Sequence, residues 1–159
     1  MRYILFLLCI LLFGNLYGDV TSQKELFSKQ YIAVKNNYVQ ALRTNDGALF
    51  AQSAQDFRSL GQAIASANSS LMRWMNNDYF SSDRHRNDTN MKMALTSLGN
   101  ANNSLLSFAP PPDMSPSNVR KVDAYINLIS KSISEYDAAC QKVNMAHPES
   151  TYQWPKVSI

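Results

Sequence analysis

Histidine is the usual acid–base group near neutral pH, and this chain has two, His85 and His147. They lie far apart in sequence. His147 directly precedes Pro148, a helix-end setting where histidine commonly meets the last carbonyls. Serines are plentiful, but a nucleophilic serine needs a base in reach and a group to orient that base. The chain holds no Gly-x-Ser-x-Gly, no P-loop and no dinucleotide fingerprint. Its acids are scattered, and no Glu-x-x-His pair is present to build a di-metal site in a helical bundle. These residue types point away from catalysis, and no catalytic residue is assigned.

Soft metal ligands are the next possibility. Met72 and Met75 stand three apart, with Met91, Met93, Met114 and Met145 further on. Thioethers would favour Cu(I). Met75 and Met91 fall on apolar stripes, where methionine is ordinary core filler. Met72 and Met93 lie off those stripes, and two residues do not make a site. Cys-x-x-Cys-His is missing, which excludes covalent haem of the c type. No metal or cofactor is assigned.

Two cysteines exclude a disulfide scaffold. Cys9 lies in an apolar N-terminal run. Cys140 shares a helical stripe with Ile133 and Val143, so it is expected to be a buried free thiol.

Residues suited to contact rather than chemistry are easier to find. Trp74, Tyr79 and Phe80 surround the end of the second helix, outside a regular apolar stripe, and Tyr152 and Trp154 lie in the C-terminal tail. Trp and Tyr dominate interface hot spots. Arg84 and Arg86 flank His85 in a basic cluster beside the first group. These seven residues are the expected interaction surface. The competing reading has Trp154 capping its own domain and the basic cluster solvated, nearly cancelled by Asp78, Asp83 and Asp88.

Asn-x-Ser/Thr occurs at Asn68, Asn87 and Asn102. Fifteen asparagines in a chain this rich in Ser and Thr give roughly two such matches by chance, so the motif alone is weak. Asn68 and Asn102 also fall on the inner faces of helices. There they either face one another and fix register, or stand at bundle edges and reach water.

Four amphipathic helices would carry these residues. Ser22-Gln23-Lys24-Glu25 has the capping-box form. Phe27, Tyr31, Val34, Tyr38 and Leu42 follow at steps of three and four, and Asn45-Asp46-Gly47 signals a turn, with Asp46 able to cap the next helix. The second stripe is Phe50, Ala54, Phe57, Gly61, Ile64, Asn68, Leu71 and Met75. Polarity rises from Asn76 to Asn90, which reads as a long connection or a frayed helix end. The third stripe is Met91, Leu95, Leu98, Asn102, Leu105 and Phe108, capped by Asp88 or Thr89 and stopped by Pro110-Pro111-Pro112. Ser115-Pro116 restarts the chain in helical form. Val119, Val122, Ile126, Ile129, Ile133, Tyr136, Cys140 and Val143 then repeat as an unbroken heptad seam.

Ser59-Leu60-Gly61-Gln62-Ala63 resembles Ser97-Leu98-Gly99-Asn100-Ala101. A glycine inside a helix costs about 1 kcal/mol against alanine, so both glycines are read as points of close helix approach. No segment alternates with period two. The fold class is all-α, an up-and-down four-helix bundle, with a three-helix bundle containing one long bent helix as the alternative.

At 159 residues the chain holds one domain. Arg2, the apolar run Tyr3–Phe13 and Gly18 form an export signal, which divides the chain into a signal peptide (1–18), a helical domain (19–147) and an irregular tail (148–159). The apolar run is shorter than the ~20 residues needed to span a bilayer, which disfavours an uncleaved anchor. Membrane contact is expected only if that segment stays attached. The net charge of +3 gives no footprint for nucleic acid. The expected protein is exported, periplasmic or secreted, and non-catalytic, acting on another protein as an envelope accessory subunit, inhibitor or immunity-type protein. A ligand- or metal-binding bundle is the alternative, and an enzyme of unknown type the third.

Overall fold

The computed structural model describes residues 23–146. The signal, the Ser22 cap, His147-Pro148 and the tail with Tyr152 and Trp154 lie outside the described residues, as do the side chains of residues 143–146.

Four helices make the fold: α1 (Gln23–Thr44), α2 (Gly47–Trp74), α3 (Thr89–Leu106) and α4 (Pro116–Ala146). They form an up-and-down four-helix bundle. Helices consecutive in sequence pack together, α4 closes against α1, and α2 also meets α4 across the diagonal. Being packed on three sides, α2 buries all seven positions of its stripe from Phe50 to Leu71, and the eighth, Met75, is buried in the turn that follows.

The link between α1 and α2 is set by asparagine, not glycine. Asn45 takes a positive φ of 55°, and the Asp46 amide donates to the Ala41 carbonyl at 3.0 Å. That is a Schellman closure, with a short polar residue accepting the left-handed conformation. Asp46 then caps α2 by accepting from the Leu49 amide at 3.0 Å. Gly47 is simply the first residue of α2.

One stripe position is corrected. Leu42 is 37% exposed, and Ala41 takes its place inside at 0%. A straight helix turns about 100° per residue, which carries Leu42 about 60° off the direction of Phe27. A second correction concerns Phe108. It lies beyond the end of α3 and stacks on Tyr125 with ring centroids 3.8 Å apart.

In α4, Val122, Ile126, Ile129, Ile133, Tyr136 and Cys140 are all buried, as the heptad spacing requires. Cys140 is a free thiol, 1% exposed. Burial pushes it well above the usual thiol range, and the charge of Asp137 adds to this.

The two inward asparagines do face one another. The Asn68 amide donates to Asn102 Oδ1 at 2.8 Å, and the Asn102 amide donates to the Ala65 carbonyl and to Ser69 Oγ.

Candidate functional site

Between α2 and α3 the chain forms an ordered elbow rather than a frayed end. Met75–Tyr79 is one π-helical turn, closed by the Phe80 amide on the Met75 carbonyl at 2.9 Å. The wider turn keeps both Met75 and Tyr79 pointing inward, at 0% and 1% exposure. Amides from His85, Arg86 and Asp88 then fold the following residues back on Ser82 and His85.

Tyr79 is the post around which the elbow is built. Its hydroxyl donates to Asp88 Oδ2 at 2.7 Å. Its ring stacks on His85 at 4.5 Å and meets Phe80 edge-on at 5.2 Å. Asp88 also caps α3, accepting from the Met91 amide at 3.1 Å. The Tyr79 hydrogen bond, followed by that of the Met91 amide, holds the Asp88 carboxyl below the usual carboxylate range. Burial, then the hydrogen bond and charge of Asp88, push Tyr79 up to about 12. These contacts organise a loop.

The seven expected interaction residues therefore separate. Tyr79 is a core residue and is withdrawn from the contact surface, because its ring and hydroxyl are both used internally. Trp74 and Phe80 are half-buried and pack on the core. Arg84 and Arg86 are exposed, and Arg86 pairs with Asp83 at 2.8 Å. Tyr152 and Trp154 lie outside the described residues.

Exposed large apolar side chains occur on α3, at Met93 and Leu106, and on α1. On α1, Ile32, Val39 and Leu42 are 56%, 42% and 37% exposed. Ile32 and Val39 stand seven apart and share one line along the helix, on the side opposite Phe27 and Val34. A turn of about 100° per residue sets Lys29 and Lys35 about 60° to either side of Ile32, and Arg43 beside Val39. All three cations are exposed. The ion pairs among the described residues are Lys24–Asp137, Arg86–Asp83 and Lys131–Glu135, and none engages these three. Lys35 rests over the Tyr31 ring at 5.4 Å from its centroid. Ile32 and Val39 are thus two exposed aliphatic groups on one line of the helix, with positive charge beside them.

Sequence reasoning passed over this face because it sorted apolar residues by the inner stripe alone. The signal was available in Ile32 and Val39, which fall off that stripe at a helical repeat of seven.

No protein-family model, curated protein or solved structure matches the chain.

Proposed function

We propose that this protein is exported, is not an enzyme, and works by binding another protein through the outer face of α1. One observation carries the reading: Ile32 and Val39 are exposed along one line of that helix, with Leu42 exposed nearer its inner edge, and three cations beside them have no ion pair among the described residues. Single exposed apolar residues are ordinary, whereas aliphatic residues repeated along one helix line with charge beside them fit an interaction surface. The partner surface that fits has aliphatic residues edged by Asp or Glu. Such complementary charge speeds encounter and selects the partner, while apolar burial holds the complex.

The test is a pair of substitutions, Ile32→Glu with Val39→Glu. Both sites are exposed and glutamate is a good helix former, so the melting temperature should stay within a few degrees. Capture of the partner from the compartment to which the protein is exported should fall at least tenfold. Charge reversal at Lys29 and Lys35 should weaken capture mainly at low salt. Unchanged capture by the doubly substituted protein would remove the α1 face from the interface. Full-length mass, with residues 1–18 retained in a membrane fraction, would overturn cleavage and establish an anchor instead.

A further inference from the structure

The three Asn-x-Ser/Thr sequences are equivalent as motifs and unequal in the fold. Asn68 is 0% exposed, and its amide nitrogen is directed at Asn102 Oδ1 at 2.8 Å. Asn102 is 8% exposed, and its nitrogen is held between the Ala65 carbonyl at 3.2 Å and Ser69 Oγ at 3.0 Å. A sugar on either nitrogen would have to separate α2 from α3.

Asn87 stands in the opposite situation. It is exposed, in the last residues of the elbow before α3. Its neighbour Asp88 is turned inward, with one carboxylate oxygen on the Tyr79 hydroxyl at 2.7 Å and the other on the Met91 amide at 3.1 Å. Anchoring Asp88 leaves Asn87 on one side and Thr89 on the other, both exposed. The third residue of the motif is thus a threonine at the first position of α3, outside the packed interior.

We propose that Asn87 is an N-linked glycan acceptor, and that of the three sequons it is the one the folded domain can carry. The inference rests on the export reading, since the modification takes place in a secretory lumen. The glycosyl donor is a lipid-linked pyrophosphoryl oligosaccharide. The Asn87 amide nitrogen forms a bond to the anomeric carbon and loses one proton to base. The bond from that carbon to the pyrophosphate oxygen breaks, and the lipid pyrophosphate leaves with its electron pair. No redox change is involved. A glycan at Asn87 would screen Arg84 and Arg86 and leave the α1 face as the open cationic surface.

The experiment is expression of the full chain in a secreting eukaryotic cell, beside a second chain in which residues 1–18 are replaced by an efficient foreign signal. Peptide N-glycosidase treatment in heavy-oxygen water converts a glycosylated asparagine to a mass-tagged aspartate. The tag is expected at Asn87 and at neither Asn68 nor Asn102. Asn87→Gln and Thr89→Ala should each abolish the glycosidase-sensitive mobility shift, and Thr89→Ser should keep it. Asn87→Gln should still be secreted with an unchanged melting temperature, which separates loss of the acceptor from loss of the fold. Chain recovered from the medium without a tag at Asn87, or with the tag at Asn68 or Asn102, overturns the proposal. If the native signal fails and the foreign signal gives tagged Asn87, the export reading falls and the acceptor assignment stands.

Discussion

Gly61 and Gly99 occupy nearly the same local sequence and meet different neighbours. A Cβ at Gly61 would run into the Tyr125 hydroxyl and stand 2.9 Å from its Cζ. That hydroxyl is occupied, donating to the Leu105 carbonyl at 2.9 Å. Three helices converge there, with α4 sending a tyrosine across α2 to bind the end of α3. A Cβ at Gly99 would meet only the flexible end of Met72, at 3.4 Å. Gly61→Ala gains about 1 kcal/mol of helix propensity. It also overpacks the contact, at about 1–3 kcal/mol, and disturbs a hydrogen bond worth about 0.5–1.5 kcal/mol. A net loss of about 1–3 kcal/mol is expected by urea denaturation. Gly99→Ala should instead be neutral or stabilising by up to about 1 kcal/mol. Equal effects at the two sites would show that the Tyr125 contact does not set the distance between α2 and α4. The asparagine pair follows the same logic of one well-placed side chain. Asn68 Oδ1 has no hydrogen-bond partner among the described residues at 0% exposure, and leaving such an atom unpaired costs about 1–3 kcal/mol. The pair's other hydrogen bonds tie α2 to α3, from Asn68 to Asn102 and from Asn102 to Ala65 and Ser69.

At the scale of elements, the caps and the elbow decide where helices stop. Asp88 serves both, as N-cap of α3 and as acceptor for the Tyr79 hydroxyl. Asp88→Ala should cost about 1–2 kcal/mol, the range for losing a cap. Asp88→Asn keeps an oxygen for the Met91 amide and should cost less. The sign of the pH effect follows from its lowered folded value. The stabilisation is fully present above the unfolded carboxylate value of about 3.9 and is lost as pH falls below it. Asp88→Ala should therefore flatten part of the acid loss in denaturant midpoints taken from pH 6 to pH 2. An unaltered acid profile would sink the assignment. The caps at Asp46 and Asp88 were legible in sequence, as were the α2 stripe and the α4 seam, because capping and periodicity are local. The elbow was not. Asn76-Asn77-Asp78 reads as a break, and only packing against the bundle end makes Tyr79 a buried post. The α1 face was legible only in part: Ile32 and Val39 repeat off the inner stripe, but exposure is a property of what the other three helices leave uncovered. Leu42 was misplaced because a fixed three-and-four step drifts around a straight helix.

The whole molecule should respond to alkali as a unit. Among the described residues, four buried acids with raised values sit at separate interfaces. Burial pushes Tyr79 and Tyr125 up to about 12. Tyr38 is raised further by burial and then by its hydrogen bond to Asp123, which spans α1 and α4 at 2.8 Å. Cys140 is raised by burial within α4's packed face. In the unfolded chain a thiol ionises near 8.5 and a phenol near 10. Below those values all four groups contribute their full stabilisation. Above them the unfolded chain releases protons that the folded chain retains, so stability falls as pH rises, first through the thiol and then through the tyrosines. Each deprotonation opposes a different contact: α1 with α4, the elbow with α3, α4 with α3, and the interior of α4. The expected outcome is one cooperative transition whose denaturant midpoint declines from about pH 9 and steepens beyond pH 10. Cys140→Ala should remove the early decline and leave the later one. Thiol reagents should label Cys140 in the folded protein no faster than the chain opens, and at the solvent rate once denaturant is added. A midpoint flat to pH 11, or immediate labelling at pH 8 without denaturant, would show that these groups are in contact with water and that the bundle is looser than its packing implies.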